Sequence, residues 1–253
     1  MSASKTIAKN TLILYIRMFF TLAVSLYTSR IVLATLGVSD FGVYSIVGGI
    51  VSMGGFINGA MSNATQRFLT FSIGENNFNK LRNVFSASLT IHLFIGLIFF
   101  VVAETLGLWF LNYRLVIDAH RMYAANVVYQ LSVFSFIIGI YQAPFNALII
   151  AREKMDVFAY MSLIEVFLKL AIVFALPKIN YDHLIVYAAL YLAVTFLVRV
   201  LYQLYCNKQF KESKYSFYYD KELYHNLLSF SGWTLFGSLS VVAKNQGINI
   251  LLN

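Results

Sequence analysis

The chain has 253 residues, of which 59% are apolar and only 12% charged, against about 45–50% and about 25% in soluble globular chains. So few charges cannot cover a water-soluble domain of this size, and a mean hydropathy of +0.71, with apolar runs of about twenty residues or more, places the chain in a bilayer. A soluble enzyme, a disordered tail and a disulfide scaffold are excluded, the last because Cys206 is the one cysteine.

The remaining class is an all-α integral membrane protein. A helix needs about 20 residues to cross roughly 30 Å of hydrocarbon. Seven stretches qualify, over 10–36, 41–65, 84–111, 122–150, 157–176, 184–205 and from 226 to the end. The second and fourth carry no Asp, Glu, Lys or Arg. The first run is too long for a cleaved signal peptide and contains Arg17. With the amino terminus inside, eleven Lys and Arg fall in cytoplasmic segments, three (Arg114, Arg121 and Lys178) in outer loops, and five (Arg17, Arg30, Lys169, Arg199 and Lys244) within spans. That asymmetry predicts a cytoplasmic amino terminus. It also makes the net charge of +8 a topology signal; the inner charges are scattered over several short segments, so no nucleic-acid partner is expected. No P-loop, dinucleotide fingerprint or metal-spaced Cys/His cluster occurs, so neither a metal nor a cofactor is expected.

In chain order, the first span carries a polar stripe. Asn10, Arg17, Thr21, Thr28 and Thr35 fall within about 40° of one another around the helix, with Ser25 slightly to one side. Arg17 lies roughly 10 Å below the inner boundary, where snorkelling to the headgroups competes with a cavity-lining role; the aligned hydroxyls favour the cavity. The second span holds six of the fourteen glycines, including the close-packing pair Gly55 and Gly59. Ser45, Ser52, Gly59 and Asn63 give it a thin polar seam. His92 in the third span reads as a hydrogen-bonded interior residue. Pro144 in the fourth span removes a backbone hydrogen bond and predicts a kink, either hinge or static bend. Glu165 and Lys169 in the fifth are spaced i, i+4 and can meet on one helix face, as a self-neutralised pair or as a substrate-binding or proton-responsive one. The segment 206–225 mixes Lys208, Lys211, Lys214 and Lys221 with aromatic residues and reads as an interfacial linker. Five intramembrane cations face two anions, Glu104 and Glu165, and such an excess suits an anionic cargo, because a guanidinium binds phosphate oxygens in bidentate fashion.

Three stretches carry a family resemblance. The segment LGVSDFGVYSIVGGIVSMGGFINGAMSNATQRFLTFSIGENN, with Gly37 and Asp40 ahead of Phe41-Gly42-Val43-Tyr44 and then Arg67-Phe68, resembles helix two and its flanks in the bacterial oligosaccharide-lipid flippases. APFNALIIAREKMDVFAYMSLIE is similar to their link between helices four and five, and FSGWTLFGSLSVVAKNQGINILLN to their helix seven. The resemblance is to the Wzx-type, polysaccharide-exporter branch of the multidrug/oligosaccharidyl-lipid/polysaccharide (MOP) superfamily.

It implies two helical bundles around a cationic cavity in the bacterial inner membrane. They flip an undecaprenyl-pyrophosphate-linked oligosaccharide by alternating access for O-antigen, lipopolysaccharide or capsule assembly, with no enzymatic chemistry. The partners it implies are the lipid-linked oligosaccharide, membrane lipids, a polysaccharide polymerase and a chain-length regulator. On this reading 1–205 is the first six-helix bundle, 206–225 a cytoplasmic linker and 226–253 the opening helix of a second bundle. The chain then reads as the amino-terminal half of a longer transporter, with a half-sized protein that dimerises as the alternative.

Arg17, Lys169 and Lys244 are the expected contacts for the anionic headgroup. Asn10, Thr21, Ser25 and Thr28 form the expected cavity stripe, and Glu165 or Asp40 the expected coupling site. The alternatives are a multidrug or peptidoglycan-precursor exporter of the same architecture, a membrane glycan polymerase or acyltransferase, and a non-functional fragment.

Overall fold

In hydrocarbon every backbone polar group must be satisfied within its own segment, so long apolar runs become helices. The computed structural model describes the backbone of 3–251 and the side chains of 5, 8–237 and 240. It contains α1 (Ala3–Ser52), α2 (Gly55–Gly74), α3 (Phe78–Val102), α4 (Leu108–Tyr113), α5 (Met122–Ala151), α6 (Met155–Ala175), α7 (His183–Gln209) and α8 (Lys221–Leu251). Five segments of the described residues are long and apolar enough to cross a membrane: Ala8–Ser52, Phe78–Tyr113, Met122–Ala151, Met155–Lys178 and His183–Gln209.

The ends of the helices are set by local chemistry. Asn77 caps α3 by accepting from the Lys80 N–H at 3.0 Å. Asp182 caps α7 through the N–H groups of Leu184 and Ile185, and Asp220 caps α8 through Glu222 and Leu223. Each supplies an oxygen to donors that the first turn leaves unpaired.

The stretch 41–65, expected as one span, is divided. Its first part continues α1, which breaks at Gly37, where φ is 77° and ψ 170°, a conformation that costs any residue with a Cβ. Its second part begins α2 after a turn at Met53 and Gly54. There the rings of Phe99 and Phe136 press on the backbone: a Cβ on Gly54 would lie 2.6 Å from one and 2.8 Å from the other. The third span starts earlier than expected, at Phe78, and passes through a π-helical turn at Ala103–Gly107 before α4. Tyr129 holds that turn by donating to the Ala103 carbonyl at 2.8 Å.

Helix α5 is the centre of the bundle and packs on α1, α2, α3, α6 and α7. Towards one end it meets Val32, Val47 and Leu184, and towards the other Leu69, Phe85 and Tyr202. Helix α8 joins through Leu227, against Met61 and Ile91. Pro144 is buried inside α5, which remains helical on both sides of it. By contrast, Phe19 (71% exposed) and Leu26 (65%) on α1 face outward with many other large apolar side chains, the surface expected where lipid is the solvent. The linker after α7 is tucked in: Glu212 is buried against Arg152, the Ser216 N–H donates to the Ser86 hydroxyl at 3.2 Å, and Phe217 and Tyr219 stay exposed.

Candidate functional site: a polar cavity in the helical bundle

The helices around α5 enclose a cavity of about 330 Å³. Its lining comes from Tyr44, Gly48 and Ser52 of α1, Asn58 of α2, Ser132, Ser135, Gly139 and Gln142 of α5, Glu165 of α6, and Tyr191 and Thr195 of α7. Gly48 and Gly139 have no atom within 4 Å of where a Cβ would stand, so these two positions leave the space open. The Asn58 Oδ1 is buried without a partner, which leaves an acceptor at the wall.

One carboxylate lines the cavity, and it is neutralised. Lys169 donates to the Glu165 carboxylate at 2.6 Å and to the Tyr191 hydroxyl at 3.0 Å, with its ammonium 4.4 Å from the centre of the Tyr191 ring. Tyr191 stands 6.4 Å from Tyr187, which in turn meets Tyr44 edge-on at 5.0 Å. What faces the space is therefore a set of carboxamides, hydroxyls and tyrosine rings, interspersed with the apolar Val51, Phe136 and Ala188, around an internally compensated ion pair. Such a wall offers many hydrogen bonds and little net charge.

The residues singled out from the sequence occupy different places. Glu165 lines the cavity, and Lys169 lies directly behind it. Arg17 donates to the Ser162 hydroxyl at 3.3 Å, and its guanidinium carbon sits 4.6 Å from the centre of the Phe158 ring; both partners belong to α6. Arg17 Nε and the Thr21 hydroxyl are buried without partners. Asn10, Thr21 and Thr28 are half-buried and Ser25 exposed, and none of the four lines the cavity. Pro144 follows the lining residue Gln142 by two positions. The Lys244 side chain lies outside the described residues.

Asp40 sits at one end of the bundle. Arg121 Nε donates to its carboxylate at 2.8 Å, and the same guanidinium bonds Asp182. The hydrogen bond to Asp182 raises the Arg121 pKa above its ordinary value. Burial pushes the Asp182 carboxyl up, but the hydrogen bond from Arg121, backed by the N–H groups of Ile185 and Leu184, outweighs it and holds the group below the usual range.

Sequence reasoning missed most of the cavity wall. The row Ser132, Ser135, Gly139 and Gln142 was legible as one helix face in a charge-free span, since its spacing is three, four and three. The α7 contribution, Tyr191 and Thr195, had no comparable signal, because tyrosine and threonine are ordinary in apolar helices.

A helical bundle of membrane-length apolar helices with a half-open, partly polar cavity among them defines the class. The MatE family model matches residues 15–175, more than half of the chain. The chain belongs to the MatE family. No curated protein matches it. Among solved structures, a MATE transporter in the bent conformation is 15% identical over 94% of this chain and 53% of its own, with a TM-score of 0.76. An outward-facing multidrug resistance MATE transporter of the MOP superfamily is 13% identical over 94% and 55%, with a TM-score of 0.74. A MOP superfamily transporter from Pyrococcus furiosus, for which reverse polarity of the binding pocket suggests a different function, is 13% identical over 92% and 53%, with a TM-score of 0.71. These likenesses establish the fold. The chain spans about half the length of the structures it matches.

Proposed function

We propose that the chain forms the first bundle of a bacterial inner-membrane transporter that flips a polyprenyl-pyrophosphate-linked oligosaccharide by alternating access. The observation that carries this reading is the pairing of Glu165 with Lys169, which leaves the cavity without a free carboxylate to attract a cationic drug. Carboxamides, hydroxyls and tyrosine rings suit a sugar, which presents hydroxyls at its edges and C–H groups on its faces. Arg17, with no carboxylate partner among the described residues, is the cation to meet the pyrophosphate. The excess of Lys and Arg in the segments assigned to the inside supports a cytoplasmic amino terminus.

The test is surface polysaccharide in cells carrying Arg17→Ala. Export should fall at least tenfold with the protein still present in the membrane at its normal level. Undiminished export at normal protein level would overturn the role of Arg17. The second reading, multidrug export, is favoured by the likeness to a multidrug resistance transporter. It predicts that deleting the protein sensitises cells to cationic drugs while surface polysaccharide stays intact.

A further inference from the structure

An open groove, of about 420 Å³, lies along the later part of α2 and is lined by Asn63, Gln66, Arg67, Thr70 and Phe71, all exposed except the half-buried Gln66. The four polar residues are spaced by three, one and three, so they share one side of the helix. Ala60, Met61, Ala64 and Leu69 are buried in the bundle. A helix that met only hydrocarbon would carry no such row.

Its chemistry is one of donors. Arg67 has no carboxylate partner among the described residues. Its guanidinium carbon sits 4.4 Å from the centre of the Phe230 ring of α8, and stacking of this kind orients the planar fork while its edge N–H groups remain free. The carboxamides of Asn63 and Gln66 are engaged in no hydrogen bond among the described residues. Thr70 is already satisfied by the Gln66 carbonyl at 2.9 Å. The acid at the end of α2, Glu75, is held by Lys80 at 2.7 Å, so it leaves no free carboxylate to oppose an anion beside Arg67. Arg67 is seven residues before Gly74, hence roughly 10 Å from the end of the helix, the depth of the headgroup boundary.

We propose that this groove is a phosphoryl site. It takes the phosphate or pyrophosphate ester of a lipid, with the Arg67 fork on two oxygens, Asn63 and Gln66 donating to the others, and the lipid chain in the surrounding bilayer. The phosphoryl chemistry follows from the groove; that the lipid is polyprenyl-linked rests on the flippase reading. The site is separate from Arg17, which lies on α1 against α6.

Purified full-length protein in a phosphate-free sugar detergent, titrated with farnesyl pyrophosphate, tests this. The wild type should bind it and not farnesol. Arg67→Gln should weaken binding at least tenfold, Arg67→Lys less, and the double change Asn63→Ala with Gln66→Ala to an intermediate degree, all at an unchanged melting temperature. If Arg67→Gln does not fold, the other two variants carry the test. No binding by the wild type, or binding by the variants within twofold of it, would overturn the proposal.

Competition names the source, and the site stands in each case. Displacement by phosphatidylglycerol at equal concentration points to bilayer lipid, displacement by inorganic pyrophosphate to the free anion, and displacement by neither to the prenyl diphosphate. Arg67-dependent binding in a protein whose deletion leaves surface polysaccharide intact would remove the flippase reading and keep this site. The reverse pattern would remove the site and keep the reading.

Discussion

Lys169 has two tasks in one side chain: it neutralises Glu165 and fixes the Tyr191 hydroxyl. Replacing it by Met leaves the Glu165 carboxylate uncompensated and should destabilise the protein by about 1–3 kcal/mol. The double change Glu165→Gln with Lys169→Met should recover most of that, and thermal melting of the purified variants reads the difference. The pair itself was legible, because a spacing of four places both ends on one helix face. The bond to Tyr191, 22 positions on, was not, since only the packing of α6 on α7 creates it. Gly107 makes a similar point. A Cβ there would lie 1.9 Å from the Tyr129 hydroxyl, so Gly107→Ala should cost about 1–3 kcal/mol through overpacking. Adding Tyr129→Phe should return part of it, which the same melting series checks.

Among the elements, hydropathy located five of the seven expected runs, those overlapping Ala8–Ser52, Phe78–Tyr113, Met122–Ala151, Met155–Lys178 and His183–Gln209, because the length and apolarity a helix needs in lipid are properties of composition. It did not locate the breaks. Gly37 and Gly54 stand among several glycines of one apolar stretch, and only tertiary contact distinguishes them. At Gly37 the reason is a positive φ with open space around it; at Gly54 it is two aromatic rings. Gly37→Ala should therefore lower stability by about 1–2 kcal/mol from backbone strain alone. Gly49→Ala, in regular helix with open space at its Cβ position, should be neutral or slightly stabilising by helix propensity. Comparing the two melting temperatures isolates the strain, because neither position is crowded. The α1 residues Asn10, Thr21, Ser25 and Thr28, expected from their spacing to line a cavity, stand away from it. The sequence could not say that α6 packs against α1 and that Arg17 bonds to it, because the contact joins residues 145 positions apart.

For the whole molecule, the two ends of the bundle are fastened by charge and its middle by packing. At one end Arg152 holds the buried Glu212; at the other Arg121 holds Asp40 and Asp182. The second fastening makes stability depend on pH. The folded Asp182 carboxyl is held below its unfolded value of about 3.9. Its contribution is fully present above that value and is lost as the pH falls through the folded one. Melting temperature should thus drop as the pH falls below about 4 in the wild type, and Asp182→Asn should flatten that slope while lowering stability at neutral pH. Neither fastening could be read from the sequence, since Arg121 lies 81 and 61 residues from its partners.

The order of these contacts along the chain has a further consequence. Asp40 belongs to α1, Arg121 precedes α5, and Asp182 begins α7, so a single guanidinium secures three crossings of the chain. Damage there is unequal. Losing either aspartate leaves one working pair, whereas losing the arginine leaves two carboxylates confronting each other with nothing between them. Arg121→Ala should then be worse than the two aspartate changes added together. Removing the Asp40 carboxylate in the Arg121→Ala background should restore part of the loss while Asp182 still caps α7, the behaviour of a keystone whose neighbours push apart once it is gone.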